Sequence, residues 1–218
     1  ASWNIYTKIW LSSRLAEGQL PSDLILKFEN RHASKELISF GIPFDFPKPT
    51  ALITYILHLI VEKEYFVLDF FSGSATTAHA VMQLNAEDGG NRRCIMVTNN
   101  EVSNEEAKKL SEQGYRQGDE EWEKLGIARY VTWPRTVCSI KGKDINGKPL
   151  KGSYLGSDIP MANGFKSNAI FFKLGFLDKT EVAFGRNLKE LIPLLWMKAN
   201  AIGECPNMEF DTTPDMII

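Results

Sequence analysis

The chain has few cysteines and no paired ones. Cys94, Cys138 and Cys205 are the only thiols in 218 residues, and no C-x-x-C occurs. A disulfide-dense scaffold and the common zinc spacings are therefore excluded, and the thiols read as the reduced thiols of a cytoplasmic protein. No run of eighteen apolar residues is present, and Ala1-Ser2-Trp3-Asn4-Ile5 is not the charged-then-apolar start of a signal peptide. Neither a membrane span nor export is expected. Charge of one sign is lacking as well: 25 Lys+Arg against 27 Asp+Glu give a net charge of -2, which leaves no global field for a polyanion. There is no G-x-x-x-x-G-K-[ST], which excludes a P-loop, and no G-x-G-x-x-G, which argues against a dinucleotide cradle and a nicotinamide-dependent oxidoreductase. None of the ten prolines follows another.

What is present is an ordinary globular composition, 44% hydrophobic and 24% charged, enough for one or two domains with real cores. Charge is unevenly spread: residues 86–125 hold six Lys/Arg against ten Asp/Glu, and residues 135–200 hold eleven against five. The second segment is a candidate phosphate-facing surface, with a solvated mixed surface as the alternative. The lack of an initiator Met and the ending Asp215-Met216-Ile217-Ile218 read as a piece of a longer protein.

Residues 1–42 read as irregular, with helical hints at 11–17 and 33–39. After the proline-punctuated stretch 42–49, Leu52, Ile53, Ile56, Leu57 and Ile60 fall on one helical face. The run Tyr65-Phe66-Val67-Leu68-Asp69-Phe70-Phe71 then predicts a strand covered on both faces. Ser72-Gly73-Ser74 predicts a tight turn, and residues 75–84 a helix. A turn-rich stretch, 87–91, leads to a second buried strand, 94–98, and the resulting βαβ unit predicts a parallel sheet. Ser103 and Glu106 form a capping-box signature for a helix reaching Gln113. Pro134 sits where a first helical residue would. Beyond a soft boundary near Lys141, Asn146-Gly147 signals a hairpin, 169–176 a strand, and 187–199 an amphipathic helix kinked at Pro193.

The chemistry concentrates at the first turn. Small residues between a buried strand and a helix allow close backbone approach, and the N–H groups at a helix start favour a lone-pair-rich group. Packing alone produces such turns in many α/β proteins. Asp69, just before the turn, disfavours phosphate and suits a positively charged ligand, because a carboxylate attracts an ammonium a few ångströms away. S-adenosylmethionine, with an ammonium and a sulfonium, fits that description.

The stretch Asp69-Phe70-Phe71-Ser72-Gly73-Ser74-Ala75-Thr76-Thr77-Ala78-His79-Ala80 resembles the cofactor motif of adenine-amine DNA methyltransferases, in the form found in modification subunits of type III restriction-modification systems. Phe44-Asp45-Phe46-Pro47-Lys48-Pro49 resembles the F-x-x-x-K-P motif that precedes the cofactor strand in the β class of these enzymes. The resemblance implies an α/β fold: a partial Rossmann-like sheet binding S-adenosylmethionine, with a smaller α+β carboxyl-terminal region. The implied division is 1–42 as the end of a target-recognition or linker region, 43–141 as the methyltransferase core, and 142–218 as the carboxyl-terminal region. Asp69 would hold the methionine ammonium, and Phe71, Gly73 and Ser74 would line the turn. Phe46, Lys48 and Pro49 would pack beside the cofactor, with Thr76 and Thr77 in the same pocket; core packing is the alternative for the phenylalanines.

Two departures from the pattern matter. The family's acidic residue after the second strand is replaced by Thr98, leaving Asn99 or Glu101 to reach the ribose. The Asp/Asn-Pro-Pro-aromatic loop that binds the flipped adenine is absent, so no catalytic residue is assigned and the isolated chain is expected to be inactive. In the complete protein the implied reaction is displacement of the sulfonium-bound methyl by the adenine amine, promoted by positioning. The implied partners are double-stranded DNA, a second copy of the subunit and a restriction subunit, with no membrane. Lys143 and Lys148 near the hairpin tip are the candidate DNA contacts. His79 reads as a helix-face residue with no Ser or carboxylate partner, and Trp122, Trp133, Tyr130 and Tyr154 as packing residues. The competing reading is a DNA-contact or subunit-assembly module whose cofactor fold is vestigial.

Overall fold

The computed structural model describes residues 24–154, 157–174, 177–183 and 188–199, together with residues 8, 10, 12, 13, 21 and 205. The helical hint at 11–17 falls mostly outside the described residues. The chain divides into two compact units, residues 1–170 and 171–218.

In the first unit α1 (Asn30–Phe40) turns its Ala33, Leu37 and Phe40 inward and ends at Gly41, whose φ of 77° supplies the left-handed cap. The proline-rich segment bends at Asp45 and Phe46, and Pro49, with extended backbone, is the N-cap of α2 (Thr50–Leu57). β1 (Phe66–Asp69) follows, then α3 (Thr76–Asp88) and β2 (Arg93–Met96). β1 and β2 pair in parallel, with Phe66 opposite Arg93 and Asp69 opposite Met96, so the expected βαβ unit forms. α2 and α3 pack together, and Leu57, Ala80, Val81 and Leu84 bury against Val67 and Cys94.

Only one face of this two-stranded sheet is covered among the described residues. Val67, Asp69, Cys94 and Met96 are half-buried, while Phe66, Leu68, Phe70, Ile95 and Val97 are exposed. The expectation of a strand buried on both faces is corrected here: the alternation along β1 resolves into one packed and one open face.

Beyond β2, Ser103 caps α4 (Asn104–Glu112) by accepting from the Glu106 N–H at 3.3 Å, as its spacing predicts. α5 (Glu120–Lys124) and a π-helical turn (Ala128–Thr132) lead into α6 (Trp133–Lys141), with Pro134 in its first turn. The hairpin around Asn146-Gly147 forms, with Lys143 bridging Pro149. Leu150, Tyr154, Met161 and Phe165 join Leu37, Phe40, Met82, Val131 and Cys138 in one core. Residues 142–170 therefore belong to the first unit, and the step near Lys141 is not where the compact units divide.

The second unit contains α7 (Lys179–Ala183) and α8 (Leu188–Lys198), the latter with Pro193 inside it as expected. Residues 169–174 are irregular rather than a strand, and 175 and 176 lie outside the described residues. No helix among the described residues is long and apolar enough to cross a membrane.

Candidate functional site

The site is built from the turn that joins β1 to α3. At the strand tip the Asp69 carboxylate accepts from the Phe71 N–H at 3.0 Å and from the Thr77 hydroxyl at 2.6 Å. One oxygen receives each bond, and an ionised carboxylate has about four acceptor sites, so capacity for a cationic ligand remains. The backbone then bends sharply. Gly73 has φ 45° and Ala75 φ 61°, both left-handed, and Ala75 is strained because it carries a Cβ. A Cβ on Gly73 would lie 3.7 Å from Phe44 Cζ, so glycine serves the backbone angle and not a shortage of space. The Ser72 hydroxyl is buried and has no hydrogen-bond partner among the described residues.

Phe44 connects this turn to a hollow of about 550 Å³. Asp45, Glu101 and Glu106 bring three carboxylates to its lining, and Tyr130 and Leu125 bring apolar surface. Such a lining repels phosphate and accepts from hydroxyl and ammonium donors. The turn thus offers a strand-tip carboxylate, and the hollow offers acceptors beside an apolar wall; each suits a cationic or hydroxyl-bearing group.

Not every residue singled out from sequence converges here. Glu101 lines the hollow, whereas Asn99 is exposed and donates to Glu101 Oε1 at 3.2 Å. Thr76 is buried, shares a 3.1 Å hydrogen bond with Ser74, and donates to the Lys48 carbonyl at 3.3 Å, which ties the F-x-x-x-K-P segment to the turn through its backbone. The Lys48 side chain is exposed and Pro49 is buried at the start of α2. Phe46 and Phe71 are 85% and 90% exposed, so neither is a core residue and neither lines the hollow. Asp69 itself lies at the strand tip outside that lining.

Lys143 lines a separate hollow of about 620 Å³ with Arg129, Trp133, Val137 and Lys141. Lys148 is exposed at the hairpin tip, its N–H donating to Asp144 Oδ1 at 2.8 Å.

Sequence reasoning missed the polar cluster behind the turn. Arg135, fully buried, donates to the Ser74 carbonyl at 3.0 Å, to the hydroxyls of Ser74, Thr76 and Thr50, and to Glu36 Oε1. Burial works against ionisation of Glu36. The charge interaction with His79, where that ring is protonated, the permanent charge of Arg135 and the hydrogen bonds from Thr50 and Arg135 outweigh it and hold the carboxyl below its ordinary range. The reading of His79 is corrected too: it is buried, its Nδ1 is 2.9 Å from Ser139 Oγ and 3.9 Å from Glu36, and it packs against Phe40, Tyr154 and Phe165. Burial drives its pKa down to about 4, so it is neutral at physiological pH. A signal existed in the helical spacing of Thr132, Arg135, Thr136 and Ser139, a polar stripe on the buried face of α6 and the turn before it.

The profile of the DNA methylase family matches residues 4–113, and the chain belongs to that family. It is similar to the Mod subunit of the type III restriction-modification enzyme StyLTI of Salmonella typhimurium, with 50% identity over 95 residues, 42% of this chain and 14% of that protein. It is also similar to the Mod subunit of the type III enzyme EcoPI of Escherichia phage P1, at 45% over 73 residues, covering 34% and 11%. The type II methyltransferase M.KpnI of Klebsiella pneumoniae matches at 44% over 75 residues, covering 34% and 18%. The chain thus spans less than a fifth of the length of each of these curated relatives.

Proposed function

We propose that this chain is the cofactor-binding part of a site-specific DNA adenine methyltransferase of the type III modification class, with a partial Rossmann-like sheet. The observation that carries the reading is the Asp69–Gly73 bend at the tip of β1, set beside a hollow lined by Asp45, Glu101 and Glu106. In this reading Asp69 takes the ammonium of S-adenosylmethionine, with Phe71, Gly73, Ser74, Thr76 and Thr77 forming the turn around it. Glu101 accepts from the ribose hydroxyls, with Asn99 orienting its carboxylate. Phe46, Lys48 and Pro49 border the site through the segment that Thr76 ties down. The cofactor supplies an electrophilic methyl group when bound. The Pro-Pro-aromatic loop is not among these 218 residues, so binding of the adenine is assigned to residues this chain does not hold. The full assembly then includes double-stranded DNA, a second modification subunit and a restriction subunit, in the cytoplasm.

Calorimetric titration with S-adenosylmethionine tests the cofactor site. Wild type is expected to bind, and Asp69→Asn, which keeps an acceptor for Phe71 but loses the charge, to bind at least about tenfold more weakly. Equal affinities would remove Asp69 from the site. Transfer of labelled methyl to DNA by the 218-residue chain alone would refute its inactivity.

A second reading, a DNA-contact or assembly module, draws on Arg129, Lys141 and Lys143 around the larger hollow. Charge reversal at Lys143 and Lys148 in the complete enzyme would lower DNA affinity and its salt dependence if these residues meet phosphate.

A further inference from the structure

The cofactor turn is held from behind by a segment outside the residues that the family profile matches. Thr132 ends the π-helical turn and Arg135 lies in the first turn of α6, on the same buried face. Thr132 Oγ1 donates to the Gly73 carbonyl at 2.6 Å, and Arg135 donates to the next carbonyl, that of Ser74, at 3.0 Å. Two consecutive carbonyls of the bend are thus bound by two side chains three residues apart.

The same segment is anchored at the other strand. The Ile127 N–H donates to the Glu101 carbonyl at 2.8 Å, and Asn100 donates to the Glu123 carbonyl at 2.7 Å while accepting from the Arg129 N–H. Residues 123–135 therefore bridge the exits of β1 and β2, the two ends that frame the proposed site. π-Helical turns are rare and recur at functional positions, where the wider turn re-aims side chains. The bend also needs external support. Left-handed backbone at Ala75, which carries a Cβ, persists only where surrounding contacts over-determine it.

We infer that Thr132 and Arg135 are positioning residues of the cofactor site, clamping the Gly73 and Ser74 carbonyls so that the bend presents Asp69 and the start of α3 to a ligand bearing an amino-acid ammonium. The inference rests on the cofactor reading above. Thr132 is the cleaner probe, because Arg135 also neutralises buried Glu36 and its loss threatens folding. Thr132→Val keeps the shape and removes the donor, whereas Thr132→Ser keeps the donor.

Two measurements on the chain separate the outcomes: amide hydrogen exchange of residues 71–76 and titration with S-adenosylmethionine. In Thr132→Val the turn is expected to exchange about tenfold faster and the affinity to fall about tenfold, while exchange in α3 beyond its first turn stays unchanged. Thr132→Ser is expected to stay within about twofold of wild type on both counts. A wild-type chain that binds, with Thr132→Val binding and exchanging alike, overturns the clamp alone. Equal losses in Val and Ser overturn it too, by making the effect one of packing. A wild-type chain with no affinity overturns the cofactor reading, and with it the role of the clamp in binding.

Discussion

At the residue scale, burial decides which side chains retain chemistry. His79 has its pKa pushed down to about 4 by burial, from an ordinary 6.5. As pH falls below about 6.5 the unfolded chain takes up a proton that the folded chain refuses, so stability drops between about pH 6.5 and 4 by up to roughly 1.4 kcal/mol per unit. Denaturant unfolding at stepped pH should show this slope in wild type and a shallower one in His79→Gln; identical slopes would mean His79 is not excluded from protonation. The thiols follow the same rule. Burial, with a smaller contribution from Asp69, pushes Cys94 up to about 12, and burial pushes Cys138 up to about 11. Both should resist iodoacetamide at pH 8 in the folded chain and react once it is denatured, as mass spectrometry of the alkylated peptides would report. Rapid alkylation of Cys94 in the native state would contradict the packing of β2 against α3.

The Asp69 turn was legible in sequence because its parts are neighbours: Asp69, Phe71 and Thr77 lie within eight residues. Arg135 was not, because its partners Thr76, Thr50 and Glu36 lie 59, 85 and 99 residues away. No short window contains that arrangement. Its one local trace is the spacing of polar residues along a buried helix face.

At the scale of elements, alternating strand and helix patterns located β1, α3, β2 and α4 closely, since each carries its own periodicity and caps. The exposed faces were harder to read. An unbroken apolar run does not say whether one or both faces of a strand are packed, and β1 shows one. The predicted strand at 169–176 lacks a described partner strand, and apolar residues without one do not make a ladder. Phe46 is the sharpest anomaly between elements: a large side chain, 85% exposed, at φ 54°. Left-handed backbone costs a residue with a Cβ roughly 1–2 kcal/mol. Phe46→Gly should therefore leave the melting temperature unchanged or slightly higher while lowering S-adenosylmethionine affinity, the signature of strain kept for binding. A melting temperature several degrees lower would show that the Phe46 ring packs in solution.

At the scale of the whole molecule, the first unit carries an open apolar sheet face formed by Phe66, Leu68, Phe70, Ile95 and Val97. Among the described residues the sheet has two strands and one covered face, and the chain spans less than a fifth of the length of each relative. The chain in solution should bind the dye ANS through this face, and Leu68→Thr with Phe70→Ser should reduce its fluorescence without loss of helical signal. Undiminished fluorescence would place the dye elsewhere.

The reach of Arg135 has a consequence for how the protein is made. Ser74 leaves the ribosome 61 residues before the guanidinium that binds it, a delay of roughly 3–12 s at 5–20 residues per second. During that interval the nascent chain has Glu36 without its counter-charge and a slack bend. A product truncated before Arg135 stays permanently in that state.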